Sequence, residues 1–176
     1  MLISQKKILG LIVLLVIIAC NDNGPVNLQK ETQEKIAART INEDDLSKIE
    51  YVEFGLSTDS RESVVDWQKY NELAVQIESL KKANIEFFNR EPGLITTFTK
   101  EIRDEMPKVL QTKEISARMT ALDTKIQKLN SLLRLKTASK DEKVKGIEEL
   151  FIAFRNLKLQ INKKFEFEKN NVFKPE

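Results

Sequence analysis

The chain has 176 residues, of which 41% are hydrophobic and 32% charged, a length and balance that suit one globular domain with a short accessory segment. It contains no histidine, one cysteine and five glycines. Those counts exclude histidine-based nucleophile and general-base pairs, the usual zinc and haem ligands, intramolecular disulfides and Gly-rich phosphate loops, so neither catalysis nor a cofactor is expected.

The first twenty residues read as an export leader. Lys6 and Lys7 form a positive start, Ile8 to Ile18 are apolar apart from Gly10, and Ala19 is the small residue expected before a cleavage site. The apolar run is about half the roughly twenty residues needed to cross a bilayer, so no permanent span is expected. The run Ile17-Ile18-Ala19-Cys20 resembles the bacterial lipobox. The resemblance covers the leader alone. It implies removal of residues 1–19 as a signal peptide, diacylglycerol on the Cys20 sulfur, and usually a further acyl chain on the new amine. Two or more chains would hold the protein stably on a membrane.

The formal charge of +2 belongs to this leader, because Lys6 and Lys7 are its only charges. The remaining neutrality hides a polarity: residues 21–105 carry 11 basic and 18 acidic side chains, residues 106–176 carry 16 and 9. Either the two halves pack together and compensate, which is the simpler reading, or the basic half meets an anionic partner. A neutral total disfavours nucleic acid without removing it.

Asn21 to Asn27 holds Gly24 and Pro25 among small polar residues and reads as a tether, so residues 20–45 are expected to be a lipidated, flexible lead-in to a domain at 46–176. Residues 28–41 offer only a thin helical stripe in Leu28, Ile36 and Ile41. Ile49, Tyr51, Val52 and Phe54, ending at Gly55, suit an extended piece or a helical turn laid across the domain.

Periodicity strengthens from Asp59. Asp59 and Glu62 have capping-box spacing, and Tyr70, Leu73, Ile77, Leu80, Asn84 and Phe87 recur at steps of three and four, which predicts one helix over 59–89. Pro92 suits a first-turn position, giving a short helix Pro92–Glu105 before Pro107. Ile115, Met119, Leu122, Ile126, Leu129 and Leu133 form a heptad seam. Thr137 to Ser139 make a turn, Ser139 and Glu142 a second capping box, and Val144, Ile147, Phe151, Phe154, Ile161 and Phe165 the last amphipathic helix. The expected fold is all-α: an antiparallel bundle of three long helices plus one short helix.

Several residues invite a functional role. Lys125, Lys128, Arg134, Lys136, Lys140, Lys143 and Lys145 around the final turn are the candidate polyanion contacts. Trp67 and Tyr70 fit a core better than a binding hot spot. Phe87 and Phe88 are neighbours on the predicted helix, so one should bury and Phe88 is the candidate exposed contact. Asn84 sits in the seam, where a polar residue fixes register. The pairs Asp141-Glu142 and Glu148-Glu149 point about a hundred degrees apart on a helix and read as solvated surface. Phe165, Phe167 and Phe173 cannot share one face and are placed against residues 49–54.

A lipobox, an Asn/Asp/Gly tether and a Lys-rich helical domain together resemble the small surface lipoproteins of spirochaetes, the Borrelia type. That resemblance implies a non-enzymatic protein of the outer membrane, displayed on the cell surface or kept on the periplasmic face, binding a host protein or matrix component. Two alternatives stay open: an envelope structural or assembly lipoprotein that self-associates through its seam, and a polyanion or nucleic-acid binder using the basic half.

Overall fold

The computed structural model describes residues 33–171, and every regular element among them is helical. The leader, Cys20 and the first half of the expected lead-in, residues 20–32, lie outside the described residues. Two units are distinguished: residues up to Ala38, in which 33–37 are helical, and the unit from Arg39 onward. The second unit therefore begins at Arg39 rather than at Leu46. Its first helix, α1 (Glu43–Ser47), is held by a reciprocal capping box in which Asn42 and Asp45 exchange side-chain and backbone hydrogen bonds. Ile41 and Leu46 on either side of that cap are buried, which fixes the entry of the chain.

Residues 48–57 run extended along the last helix, α6 (Lys140–Asn171). Tyr51 stacks on Phe151, Glu53 pairs with Lys158, and the backbone around Gly55 and Ser57 is bonded by both ends of the Asn162 amide. Partners thus advance together along both segments, and the strap lies parallel to α6. Its aromatic contact is with Phe151; of the three phenylalanines placed against it, Phe165 is partly buried, Phe167 is exposed, and Phe173 lies outside the described residues.

The helix predicted over 59–89 is instead α2 (Thr58–Val64) and α3 (Gln68–Lys81). Ser57, not Asp59, supplies the N-cap by accepting from the Ser60 amide. Between the two helices Trp67 leaves helical dihedrals so that its fully buried indole Nε1 can donate to the Ile102 carbonyl at 2.8 Å. The Asn71 amide donates to the carbonyls of Val64 and Val65, satisfying groups that the break exposes. No glycine or proline marks this break.

α3 stops in a Schellman motif. Ala83, at φ 58°, is in the left-handed region, its amide donating to Leu80 and that of Asn84 to Ser79. Asn84 is consequently exposed and caps the Glu86 amide, leaving no seam role for it. The turn that follows also carries Phe87 and Phe88 inward together, since they no longer share a helix.

The remaining elements follow the predicted order: α4 (Pro92–Asp104) with Pro92 in its first turn, a 3-10 turn at Lys108–Leu110, α5 (Lys113–Arg134) capped by Thr112, and α6. The reciprocal bonds of Ser139 and Glu142 form the expected capping box. α5 and α6 make an antiparallel hairpin, because Lys125 and Lys128 meet Glu149 whereas Leu132 meets Gly146. A Cβ at Gly146 would fall 2.8 Å from Leu132 Cδ1, so the bare glycine lets the helices close at the turn end. α4 lies antiparallel on α5, through Arg103 with Asp123 at one end and Glu91 with Arg134 at the other. One apolar core runs from Ile41 to Ile161, with Trp67, Leu73, Leu110, Ile115, Leu122 and Leu129 at its centre.

Two consequences can be measured. Glycine adopts φ 58° without the steric cost that alanine bears, so Ala83→Gly should raise stability by about 0.5–1 kcal/mol, read as a higher urea midpoint at unchanged slope. Hydrogen bonds from Lys158 and Lys81 hold the Glu53 carboxyl at about 2, against 4.5 when free. A depressed carboxylate contributes stability above its unfolded value and loses it as pH falls, so strap stability should decline between pH 4.5 and about 2. Glu53→Gln should lower stability at neutral pH by about 1 kcal/mol or less, since the side chain is largely solvated, and flatten that acid slope.

Candidate functional site

The basic cluster named from the sequence separates into two sets. Lys125 and Lys128 both grip Glu149, at 3.0 and 2.7 Å, and together hold its carboxyl below its ordinary range, with Lys128 the larger influence. Arg134 reaches Glu91 at 2.9 Å and donates to the Arg90 carbonyl, and Lys140 reaches Asp45 at 3.2 Å. Lys136, Lys143 and Lys145 form no ion pair among the described residues. Three bridges, Arg134 to Glu91, Lys140 to Asp45 and Lys158 to Glu53, pair a cation of the basic half with a carboxylate of the acidic half, and a fourth, Arg103 to Asp123, crosses in the opposite sense. The simpler reading of the charge polarity thus has a direct structural basis.

Phe88 is not an exposed contact. Its ring is fully buried and meets Phe87 edge-on at 5.1 Å, while Phe87 meets Phe98 at 4.9 Å. The buried Asn130 amide donates to the Phe88 and Arg90 carbonyls, both at 2.8 Å. Asn130 is the polar register residue that the sequence pattern placed at Asn84. It lies one position after the seam residue Leu129, so a strict heptad reading passes over it. Trp67 and Tyr70 are core as expected: they stack at 5.0 Å, Tyr70 continues to Phe154, and burial pushes the Tyr70 phenol well above its ordinary value.

The seam of α5 faces the core. Ile115, Met119, Leu122, Ile126 and Leu129 are buried, and Leu133 is partly so. What stays open is the other end of the hairpin, where the N-terminus of α5 meets the C-terminal turns of α6. A groove of about 590 Å³ is lined there by Thr112, Glu114, Gln160, Lys163, Lys164 and Phe167, among others. Phe167 is 68% exposed, the largest exposure of any aromatic ring among the described residues. Lys164 bridges to Glu168 and lies 4.1 Å from the Phe165 ring centroid, so the charged side chains of the groove wall are braced by close partners. A second, smaller recess of about 420 Å³ between α4 and α5 is lined by Pro92, Gln127, Asn130, Ser131, Arg134 and Leu135. Neither recess gathers the nucleophile, base and oxyanion donors that a hydrolytic site requires. The groove presents one exposed aromatic ring, Phe167, within a charged rim of Glu114, Lys163, Lys164 and Glu168.

Compared with protein-family models, curated proteins and solved structures, the chain matches none of them.

Burial separates the two phenylalanines experimentally. Phe88→Ala should cost about 3–5 kcal/mol in urea denaturation, as a large core deletion does, whereas Phe167→Ala should stay within about 0.5 kcal/mol.

Proposed function

We propose that this protein is an exported lipoprotein, anchored through lipid on Cys20, that presents a helical domain to a macromolecular partner and performs no catalysis of its own. The observation that carries the reading is the leader, in which Lys6-Lys7, the apolar run to Ile18 and Ile17-Ile18-Ala19-Cys20 stand in the order the lipoprotein pathway reads. No helix among the described residues is long and apolar enough to cross a membrane, and in this reading attachment is through the lipid on Cys20. Its working unit is an antiparallel bundle founded on the α5–α6 hairpin with α4 alongside. The groove beside Phe167 is its partner-facing feature, and the outer membrane, with display on the cell surface, is its place.

The alternatives lose ground on specific residues. Self-association through the Ile115 to Leu133 seam would require a face that is already spent on the protein's own core. A polyanion site over the whole basic cluster would have to break the ion pairs of Lys125, Lys128, Arg134 and Lys140.

Protease treatment of intact cells, with a detergent-permeabilised control, tests the reading. The wild type should be digested from outside and fractionate with membranes, and Cys20→Ser should leave the membrane fraction. A wild type that is digested only after permeabilisation would defeat surface display. A Cys20→Ser chain that stays in the membrane would defeat the lipid anchor.

A further inference from the structure

We propose that the turn end of the α5–α6 hairpin is the face of the domain that meets the bilayer, engaging anionic lipid headgroups through Lys136, Lys143 and Lys145. The proposal rests on the lipid anchor at Cys20 put forward above. It adds which end of the domain faces the membrane and which is held away from it.

The first observation is where the chain enters. The folded unit begins at Arg39, whose guanidinium Nη1 donates to the Lys136 carbonyl at 2.9 Å across 97 residues of sequence. Buried Ile41 and the Asn42 cap of α1 secure the same entry, and Asp45 of α1 bridges to Lys140 just past the turn. A chain arriving from an anchored Cys20 therefore joins the domain beside the turn. The groove at Thr112 and Phe167 lies at the opposite end of the same two helices, with α5 alone spanning 22 residues or about 33 Å.

The second observation is charge. The stretch from Leu135 to Gly146 carries four lysines against two carboxylates, Asp141 and Glu142, and the entry segment beside it adds Arg39 and Lys48 against Glu43, Asp44 and Asp45. Glu142 is held in the cap by Ser139, and Lys140 is taken by Asp45. Lys136 and Lys145 are exposed and Lys143 half-buried, all three without an ion pair among the described residues. Attraction to an anionic membrane surface falls away within about one Debye length, roughly 8–10 Å in physiological salt, so cations gain from it only at the face nearest the bilayer. Unpaired lysines gathered where the tether attaches meet that condition. Their long apolar stems can also lie along the surface while the ammonium groups reach the phosphates.

Lipidated full-length protein in vesicles allows a direct test. Cys20 is the only cysteine, and its lipidated sulfur is a thioether, so a thiol introduced by Thr137→Cys at the turn or by Glu166→Cys at the far end is the only one open to a dye. In vesicles of phosphatidylcholine with phosphatidylglycerol, a headgroup-bound quencher should act at least about threefold more strongly on the turn label than on the far label. The contrast should shrink in pure phosphatidylcholine, in high salt, and in the variant Lys136→Glu with Lys143→Glu and Lys145→Glu, whose helicity and melting should match the parent. Equal quenching at both ends, in protein that floats with the vesicles, would overturn the proposal while leaving the anchor intact. Protein that does not float would overturn the anchor and the proposal together.

Discussion

The structure depends on burial of the α5 seam against α6. Five seam residues from Ile115 to Leu129 are removed from water, and Ile147, Leu150, Phe154, Leu157 and Ile161 answer them from the other helix. A heptad seam of this kind can be satisfied by a second chain or by the chain itself. Here the short turn before Ser139 returns α6 along α5, and Gly146 permits close approach at Leu132, so the seam is satisfied internally. Every other element then has a surface on which to dock: α4 on α5, the strap and α2 on α6, and α3 against both α4 and α6 through Trp67 and Tyr70.

Polar groups decide how those pieces register on an otherwise apolar frame. Trp67 fixes α3 to α4 through the Ile102 carbonyl, Asn130 fixes the Phe88 to Arg90 turn to α5, and Asn162 holds the strap to α6. An unsatisfied buried carbonyl costs about 1–3 kcal/mol, so the buried bonds of Trp67 and Asn130 penalise alternative packings that an apolar surface alone would tolerate, whereas the exposed Asn162 pair contributes less. The ion pairs act differently. Most have at least one well-exposed partner, and pairs of that kind contribute about 0–1 kcal/mol each. Their main effect is to spend part of the charge of the basic half within the molecule, through Arg134, Lys140 and Lys158, while Lys136, Lys143 and Lys145 beside the final turn stay outside ion pairs among the described residues.

Periodicity made the second half of the fold legible. The seam, Pro92 in a first turn and the Ser139–Glu142 box all depend on local spacing, and all stand where spacing put them. The first half was less legible because its decisive signals are not local. Nothing near Val65 announces a break, since its stability comes from Ile102, far along the chain, and from Asn71 turning back on α2. Ala83 takes a conformation that sequence reading reserves for glycine or asparagine, so the end of α3 was invisible and the predicted helix ran on through Asn84 and Phe87. A continuous helix through this stretch would point Phe88 outward, and the turn in its place makes it core.

The same geometry gives the domain two unlike ends. At the turn, chain entry, α1 and several lysines converge, and the Arg39 bond to Lys136 closes the N-terminus of the folded unit onto the hairpin. At the other end, the groove beside Phe167 is framed by the N-terminus of α5 and the last turns of α6, and its residues are braced by short-range pairs such as Lys164 with Glu168. A protein tethered through its N-terminus would hold these ends at different heights above a membrane. Core packing does not require this polarity, because a two-helix hairpin buries its seam equally well whichever end receives the chain. It follows from the placement of Ile41, Asn42 and Asp45 beside the turn, and those contacts set the separation between the entry of the folded unit at Arg39 and the open groove.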